Sequence, residues 1–381
     1  MAQATVQGKH VSKYFKTQSE ARQYLQTLQS QIHDGLTFLG ARTTLAEFLE
    51  EWLKSYKQSV RSKTFFQYTQ IVHQHINPAL GKIKLRDLRP DQIQAFYNSK
   101  IEGGTSPRTV LIIHAVLHRA LNLALRWGML GRNPAQAVNR PKFKRKEMKT
   151  LNEDQVRTLL SASKGTRNEA LFWLAVTTGM RQGEILGLKW SDLEWANKRL
   201  HVQRQLQRLK NEGLVFSEPK TSAGKRVIVL SQSVIEKLRE HLALQQQERQ
   251  LAGDKWEEND LIFPNVDGKP QHQRYVYQYF KDTLERTGLP DIRFHDLRHT
   301  AATLMLQQGI HPKVVQERLG HSDISMTLNT YSHVLPSMQE EAADKMDELL
   351  KPIEVSEEIK SLKESKPLYI VPNPSNNQNA K

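Results

Sequence analysis

Four amphipathic helix patterns between residues 43 and 140 constrain the fold of this chain more than any other feature. Their predicted N-terminal residues are, in chain order, Thr44, Ser62, Pro90 and Ser106. The first pattern carries the capping-box sequence T-L-A-E, and a proline directly after Ser106 is typical of a helix start. The second helix should end at Ile76, because Pro78 cannot continue it. The patterns predict a compact all-α domain of four helices.

The chain after Leu151 combines helical patterns with one stretch of near-alternating polar and apolar residues. Helices are expected over 153–163, 167–178 and 184–188, and again from residue 233 to about residue 350. Between them, H-V-Q-R-Q-L-Q and R-V-I-V-L flank a polar P-K-T-S-A-G-K, a pattern typical of a small antiparallel sheet. The predicted fold class is multidomain and mainly α: an all-α four-helix domain plus a mixed α+β domain with a small antiparallel sheet.

Composition changes divide the chain into five predicted segments. Residues 1–40 are polar and basic, with one strand in K-H-V-S-K-Y-F-K-T and a helix capped by Ser19, and they are too few to fold robustly alone. Five cations within residues 140–146 repel one another unless an anion lies against them, which indicates a linker. The C-terminal tail is charged and then rich in Asn, Pro and Ser, so disorder is expected. The predicted segments are 1–40, 43–140, 141–150, 151–350 and 351–381.

The charge of the chain indicates a polyanionic partner. Its 381 residues include 55 Lys+Arg against 40 Asp+Glu, for a net charge of +15. DNA or RNA is the commonest partner of such a chain, and an ordinary solvated basic surface is the alternative. The lack of cysteine excludes a disulfide, a thiolate nucleophile and a cysteine-ligated zinc. The N-terminus has no apolar signal core and no apolar run approaches membrane-spanning length, so a cytoplasmic, nucleoid-associated protein without membrane contact is expected.

Polar groups within otherwise apolar helical sequence mark a candidate catalytic site. Arg181 follows T-G-M, where a glycine interrupts a buried helix, and Glu184 three residues later can orient its guanidinium group. The other candidates in this set are His295, Arg298, His321 and Tyr331. Tyr331 lies on a stretch with no apparent apolar face for it to complete. Because an arginine fork can hold two phosphate oxygens and a tyrosine can act as a nucleophile, the set suits chemistry on a phosphodiester.

Lys220 is a further candidate, in P-K-T-S-A-G-K between two expected strands. A lysine at a hairpin tip is usually only solvated. A flexible ammonium group can also reach into a cleft and donate a proton to a departing oxygen. Lys225 is the alternative acid.

The catalytic candidates also have structural interpretations. Arg181 can be a surface arginine, and His321 a capped histidine at a helix start. Tyr331 can be an aromatic residue packed on Val334 and Leu335. Taken together, however, this chain order of arginine, lysine, histidine and tyrosine is difficult to produce by chance.

The sequence argues against a metal site. His295 and His299 have the four-residue spacing of a zinc-binding helix. Asp296 stands where such a helix has its glutamate base, and the charge of Arg298 between the two histidines opposes a cation.

Basic residues of the first half are candidates for contact with a nucleic acid backbone. Those on the predicted helices are Lys54, Lys57, Arg61, Lys63, Arg108 and Arg119, which can follow phosphates or form ordinary solvated faces. The predicted DNA-binding residues are Arg108, Lys142, Lys144, Arg145 and Lys146.

Over nearly its whole length the chain resembles the tyrosine recombinase, or phage integrase, family. T-G-M-R-Q-G-E-I-L-G-L resembles the family's first arginine box, P-K-T its sheet lysine, H-D-L-R-H-T its second box, and L-G-H-S and T-Y-S-H its last histidine and its nucleophile. The resemblance implies the catalytic set Arg181, Lys220, His295, Arg298, His321 and Tyr331, with Glu184 in support. Residues 43–140 resemble the family's core-binding domain, and 9–35 the end of an abbreviated arm-binding domain.

The resemblance implies an integrase of a phage or an integrative conjugative element. Tyr331 would attack the scissile phosphate and leave a 3′-phosphotyrosine, which needs neither ATP nor a metal cofactor. The implied partners are double-stranded DNA attachment sites, a tetramer of the chain on DNA, an excisionase and a host DNA-bending protein. A C-terminal apolar stripe from Met338 to Leu350 is expected to dock on a neighbouring subunit, or else to fold back on its own domain.

Other functions remain open at this point. A type IB-like DNA-relaxing enzyme and a chromosome-dimer-resolving recombinase would use the same chemistry. A metal-dependent hydrolase or a non-enzymatic DNA-binding regulator would not form a covalent adduct with DNA.

Overall fold

The computed structural model describes residues 2–6, 9–33, 42–143, 148–209, 212–219, 222–331 and 337–351. The chain forms two compact units, Met1–Glu147 and Met148–Lys381, each of which is described by itself. The division between the units falls inside the 141–150 segment. Several predictions lie outside the described residues: the linker cations at 144–146, Lys220, and disorder from 352 to 381.

A β-hairpin and a helix precede the predicted four-helix domain. Strand β1 (Ala2–Val6) pairs antiparallel with β2 (Lys9–Lys13), and helix α1 spans Gln18–His33. The ring of Phe15 lies 4.9 Å from that of Tyr24, so the end of the hairpin packs on the helix. The sequence predicted β2 and α1 but missed β1, because A-Q-A-T-V has small side chains and a weak apolar alternation. The predicted cap at Ser19 is wrong, since Ser19 lies within α1 and the Glu20 amide donates to Thr17 Oγ1 at 3.2 Å.

The four predicted helices of the next segment are present, and a short additional helix lies between the second and the third. Their bounds are α2 (Leu45–Tyr56), α3 (Ser62–Ile71), α4 (Asn77–Leu80), α5 (Pro90–Glu102) and α6 (Pro107–Arg126). The Thr44 amide donates to Glu47 Oε2 at 2.7 Å and the Glu47 amide donates to Thr44 Oγ1 at 3.3 Å, so the capping box is confirmed. Ser106 caps α6 in the same manner, accepting from the Thr109 amide at 3.1 Å.

The expected end of the second helix at Ile76 is wrong. A π-helical turn, Val72–Ile76, follows α3, and α4 continues past Pro78 to Leu80. Proline is tolerated in the first turn of a helical segment, and here the wider π turn shifts the hydrogen-bond register directly before it. The Gly81 amide donates to the Asn77 carbonyl at 3.0 Å and ends the segment.

Helix α6 is the core element of this unit. By length and composition it could cross a membrane, which the sequence analysis did not anticipate, and it is the one helix among the described residues that meets this test. Its apolar face is buried in the unit through Val110, Ile113, Leu117 and Leu121, which explains its hydropathy.

The second unit is helical around a small sheet region. Its helices are α7 (Glu153–Ala162), α8 (Glu169–Thr178), α9 (Gln182–Ile185), α10 (Gln232–Ala252), α11 (Gln273–Arg286), α12 (Asp296–Gln307), α13 (Pro312–Leu319), α14 (Ile324–Tyr331) and α15 (Ser337–Leu349). Its strands are β3 (Leu193–Glu194), β4 (Arg199–Val202), β5 (Gln205–Leu209), β6 (Gly213–Ser217) and β7 (Arg226–Val229).

The predicted antiparallel sheet is confirmed, although it is divided into two pieces. Strands β3, β4 and β7 form one sheet, in which Leu200 pairs with both Leu193 and Ile228. These three side chains are buried against the helices. Strands β5 and β6 form a separate hairpin.

Helix α8 passes through the core and carries the chain to the site. It is apolar on all sides, as expected for a helix surrounded by other elements. The Phe172 ring lies 5.7 Å from that of Phe280 and 6.3 Å from that of Phe294, which packs α8 against α11 and the segment before α12. The end of α8 is thereby fixed, and the first arginine box follows directly.

Helix α15 has the predicted helical spacing and an exposed apolar side. Met346, Leu349 and Leu350 are 53%, 76% and 69% exposed. Within the described residues this part of the stripe does not fold back on its own unit.

Candidate active site

The turn after α8 presents Arg181. Gly179 ends the helix with a φ of 64°, and an added Cβ would lie 2.4 Å from Leu319 Cδ2, so only glycine fits this position. Arg181 is the residue before α9, and its Nη1 donates to Glu184 Oε1 at 2.7 Å. Because the Arg181 side chain is 38% exposed and that of Glu184 only 2%, the carboxylate holds one side of a guanidinium group whose other side faces solvent.

A buried arginine outside the predicted set, Arg226, connects this box to two other segments. Arg226 of β7 donates from Nη2 to Glu184 Oε2 at 2.9 Å, from Nε to the Arg318 carbonyl at 2.7 Å and from Nη1 to the Gly224 carbonyl at 3.1 Å. Burial alone would raise the pKa of Glu184, but Arg226 and then Arg181 outweigh it and hold that pKa below its ordinary value. The sequence contains a signal for this arginine. Arg226 is two residues before Ile228 in β7, so the two side chains lie on the same, buried face of the strand.

Arg298 is the most confined cation of the site. It is 3% exposed, and its Nη1 donates to the Gly179 carbonyl at 2.8 Å and to the Leu319 carbonyl at 2.7 Å. Its Nη2 is buried and has no acceptor among the described residues. Burial, followed by the charge of Arg181, lowers the pKa of Arg298 to about 9, so the group is still charged at neutral pH. A buried cation with a free donor is suited to bind an anion.

Two of the predicted histidines lie close to these arginines. His295 immediately precedes α12 rather than lying within it, and partial desolvation together with the Arg298 and Arg181 charges lowers its pKa. His321 follows Gly320, the left-handed residue that ends α13, and its Nδ1 lies 2.9 Å from Thr327 Oγ1. Burial, then the charges of Arg298 and Arg181, lower the pKa of His321 to about 3. Both rings are therefore neutral at physiological pH.

Tyr331 ends α14 and is 1% exposed. The expectation that it completes no apolar face is wrong, because it packs in an apolar cluster whose other members are Ala302, Leu306, Val315 and Leu319. Burial raises its pKa to about 12, while the charge of Arg298 acts in the opposite direction. Val334 and Leu335, its alternative packing partners, lie outside the described residues.

The hydroxyl of Tyr331 contacts His299, a histidine outside the predicted catalytic set. Tyr331 Oη lies 2.7 Å from His299 Nδ1. Burial, then His295, lower the pKa of His299 to about 4. The rings of His295 and His299 cross at 88° with centroids 5.3 Å apart. In the part of the chain that the structure describes, no three His, Asp or Glu side chains are grouped to hold a metal ion.

The structure thus groups the arginine and histidine candidates, Glu184 and Tyr331 around Arg298 within one unit. The members are Arg181, Glu184, His295, Arg298, His321 and Tyr331. Lys220 is outside the described residues, but Pro219 before it is buried. Lys225 Nζ, the alternative acid, pairs with Glu218 Oε1 at 2.7 Å and is half exposed.

The first unit has a basic surface. Arg108 is exposed in the first turn of α6, with its guanidinium carbon 5.7 Å from the centroid of the Phe143 ring. Lys142 is exposed, whereas Arg119 is partly engaged, donating to the hydroxyls of Tyr56 and Tyr68 at 2.9 Å each. An open groove of about 620 Å³ lies on the same helix, and its polar lining consists of His114, His118, Arg119, Asn122, Arg126 and Arg140.

Sequence comparison relates both units to known proteins. The profile of the phage integrase family matches residues 149–338, and that of the phage integrase N-terminal SAM-like domain matches residues 44–101. A protein named tyrosine recombinase XerC-like, from Caldanaerobacter subterraneus subsp. tengcongensis, is 31% identical over 90% of this chain and 93% of its own length. The ICEBs1 integrase of Bacillus subtilis is 27% identical over 74% of this chain and 76% of its own length.

Solved structures share the fold. The Tn1549 transposon integrase in complex with transposon right end DNA aligns with a TM-score of 0.68 and 21% identity, over 81% of this chain and 99% of that chain. A lambda integrase tetramer bound to a Holliday junction aligns with a TM-score of 0.57 and 22% identity, over 85% of this chain and 89% of that chain. The identity and coverage of the tyrosine recombinase XerC-like relative, together with the family profile, establish that the chain belongs to the phage integrase family of tyrosine recombinases, enzymes that break and rejoin DNA.

Proposed function

We propose that this chain is a site-specific DNA recombinase that integrates a mobile element into DNA and, with help, excises it. Membership of the integrase family and the ICEBs1 integrase among the relatives support this proposal. The single observation that carries the chemistry is Arg298. Its buried Nη2 has no acceptor among the described residues, while the Tyr331 hydroxyl lies within the electrostatic influence of the same group. A phosphodiester would supply the missing oxygen acceptor.

In the proposed reaction, Tyr331 Oη attacks the scissile phosphorus and the bond to the 5′-oxygen breaks. Arg298 and Arg181 bind the non-bridging oxygens and stabilise the charge that develops on them. His321, neutral at physiological pH, donates a hydrogen bond rather than a charge. Lys220 is the proposed acid for the leaving 5′-oxygen. The energy of the broken bond is kept in the 3′-phosphotyrosine, so the step uses neither ATP nor a metal.

We assign DNA binding to the first unit in addition to the catalytic site of the second. In the first, the helical segment 43–140 acts as a core-binding domain, with Arg108 and the cations Lys142, Lys144, Arg145 and Lys146 on the phosphate backbone. The groove on α6 supports this assignment, because Arg126 and Arg140 lie on its wall and Asn122 adds an amide. We assign residues 1–40 to an arm-binding-like role, supported by the hairpin and helix of that segment.

Assembly as a tetramer on two attachment sites is part of the proposal. The lambda integrase structure contains a tetramer on a Holliday junction, and the exposed apolar side of α15 is a suitable contact with a second copy of this chain. An excisionase and a host DNA-bending protein stay predictions, as does association with the nucleoid.

The decisive experiment is covalent trapping on a nicked substrate taken from the flanks of the gene itself. The wild-type protein should leave a protease-sensitive adduct, and Tyr331→Phe should bind the same DNA without forming one, because only the attacking oxygen is lost. Tyr275→Phe, which removes an exposed hydroxyl on α11, is the matched control and should react normally. An adduct with the Tyr331 variant would show that another residue is the nucleophile.

Three further readouts separate the remaining functions. A type IB-like enzyme would relax supercoils but would not exchange strands between two sites, whereas a recombinase joins them. A chromosome-dimer-resolving recombinase would use identical sites on one chromosome rather than the two different ends of an element. A metal-dependent hydrolase would lose activity in EDTA and form no adduct.

A further inference from the structure

We infer that His299 is the general base that takes the proton of the Tyr331 hydroxyl during strand cleavage, and that it returns the proton on rejoining. This inference rests on the proposed function and deepens it, since it assigns the proton of the attacking oxygen. His295, one helical turn earlier and a member of the predicted catalytic set, is the alternative base.

The geometry favours His299. Its Nδ1 lies 2.7 Å from Tyr331 Oη, within the range needed for proton transfer. The contact joins α12 to the last residue of α14, whose ring packs in the apolar cluster. His295 instead precedes α12 and is more exposed to solvent, with its ring edge-to-face against that of His299.

The charges around His299 keep its ring neutral. From its own helix and the preceding turn it faces His295, Asp296, Arg298 and Arg293. From the other packed segments it faces the Tyr331 hydroxyl and His321. Only Asp296 favours protonation, and burial with the other groups lowers the pKa of His299 to about 4. The proposed role requires the tautomer with the ring proton on Nε2, in which Nδ1 is an acceptor at any pH well above that value.

The proton balance of the step is complete. The Oη–phosphorus bond forms, the Oη–H proton moves to His299 Nδ1, and the bond from phosphorus to the 5′-oxygen breaks. The leaving oxygen takes a separate proton from the acid proposed above, Lys220. In the reverse direction the 5′-hydroxyl attacks phosphorus and gives its proton back to Lys220, the phosphorus–Oη bond breaks, and the imidazolium of His299 returns its proton to Tyr331 Oη. The positive charge that forms transiently on His299 is adjacent to the negative charge forming on the phosphate.

Cleavage of the nicked substrate, measured in single turnovers across a pH series, tests the inference. His299→Asn keeps an amide oxygen near the position of Nδ1 and can hold the hydroxyl, but it cannot accept a proton. Cleavage at neutral pH should fall roughly 10²- to 10⁴-fold, the usual contribution of a general base. Because the variant must ionise Tyr331 without a base, its rate should rise about tenfold per pH unit. The wild-type rate should vary much less over the same neutral range.

Two additional variants distinguish a catalytic defect from misfolding. His299→Ala should regain cleavage when free imidazole is added, which a merely structural defect would not do. His201→Gln changes a histidine paired with Glu194 on the sheet and should keep the wild-type profile.

The inference is overturned if His299→Asn loses activity equally at every pH, or if the steep profile belongs to His295→Asn instead. Absence of an adduct with the wild-type protein would contradict the proposed function itself, so the two failures are distinguishable.

Discussion

Replacing Arg226 by methionine removes a side chain that connects Glu184, the Gly224 turn and the end of α13. Methionine has a similar length and no branch, so it fills most of the space and leaves the loss of hydrogen bonds and charge as the main change. Glu184 keeps its contacts with Arg181 but loses its second cation, while both carbonyl acceptors lose a donor. Arg181, through Glu184, and the segment leading to His321 are then no longer held by the same side chain.

The size of the effect follows from burial. The side chains of Arg226 and Glu184 are 7% and 2% exposed, so solvent does not screen the pair. Removing one partner of a buried pair typically costs about 3–5 kcal/mol. For a unit of this size each kcal/mol lowers the melting temperature by about 2–4 °C, which predicts a decrease of roughly 6–20 °C.

Thermal unfolding of the full chain, followed together with adduct formation and DNA affinity, is the assay. The rate of adduct formation should fall at least tenfold while DNA affinity changes little, because Arg226 acts through the position of Arg181 and His321. Arg226→Lys keeps the charge beside Glu184 and should recover part of the stability. Arg208→Met makes the same change at an exposed position of β5 and should be nearly neutral.

A double-mutant cycle with Glu184→Gln tests whether the Arg226–Glu184 ion pair accounts for the loss of stability. In that background Arg226→Met should have a smaller effect than in the wild type, with a coupling of about 0.5–3 kcal/mol. Equal effects in both backgrounds would refute the reasoning, as would a melting temperature unchanged by Arg226→Met.

Local signals explain why the helices were predictable. The Thr44 and Ser106 caps need partners only three residues away, so the sequence window contains the whole interaction. The π turn before Pro78 was not predictable, because a shift of hydrogen-bond register within a helix depends on the tertiary packing around it. The same holds for β1, whose weak alternation becomes a strand only when β2 pairs with it.

The contacts of the site likewise divide into local ones, which were predictable, and distant ones, which were not. Arg181 and Glu184 lie three residues apart, and their contact was predicted from that spacing. The partners of Arg226, by contrast, lie 42 residues before it, at Glu184, and 92 after it, at Arg318. Likewise Tyr331 is buried by α12 and α13, so its own stretch of sequence contains little of its apolar environment. Motif spacing indicates which groups meet the substrate, whereas the groups that hold them come from the topology.

Two predictions remain, one on the acid and one on assembly. If Lys220 protonates the leaving oxygen, Lys220→Ala should cleave slowly on a normal substrate and at nearly wild-type rate when the bridging 5′-oxygen is sulfur, because a thiolate leaves without protonation. Equal defects on both substrates would indicate another acid. Truncation after Leu335 removes α15, whose apolar side chains Met346, Leu349 and Leu350 are exposed. Burying such a face on a second subunit is favourable, at about 25 cal/mol per Å² removed from water, so its loss should weaken pairing of two DNA sites and leave binding to one site intact. Sedimentation of the paired complex measures this, and unchanged pairing and recombination by the truncated chain would show that α15 does not join subunits.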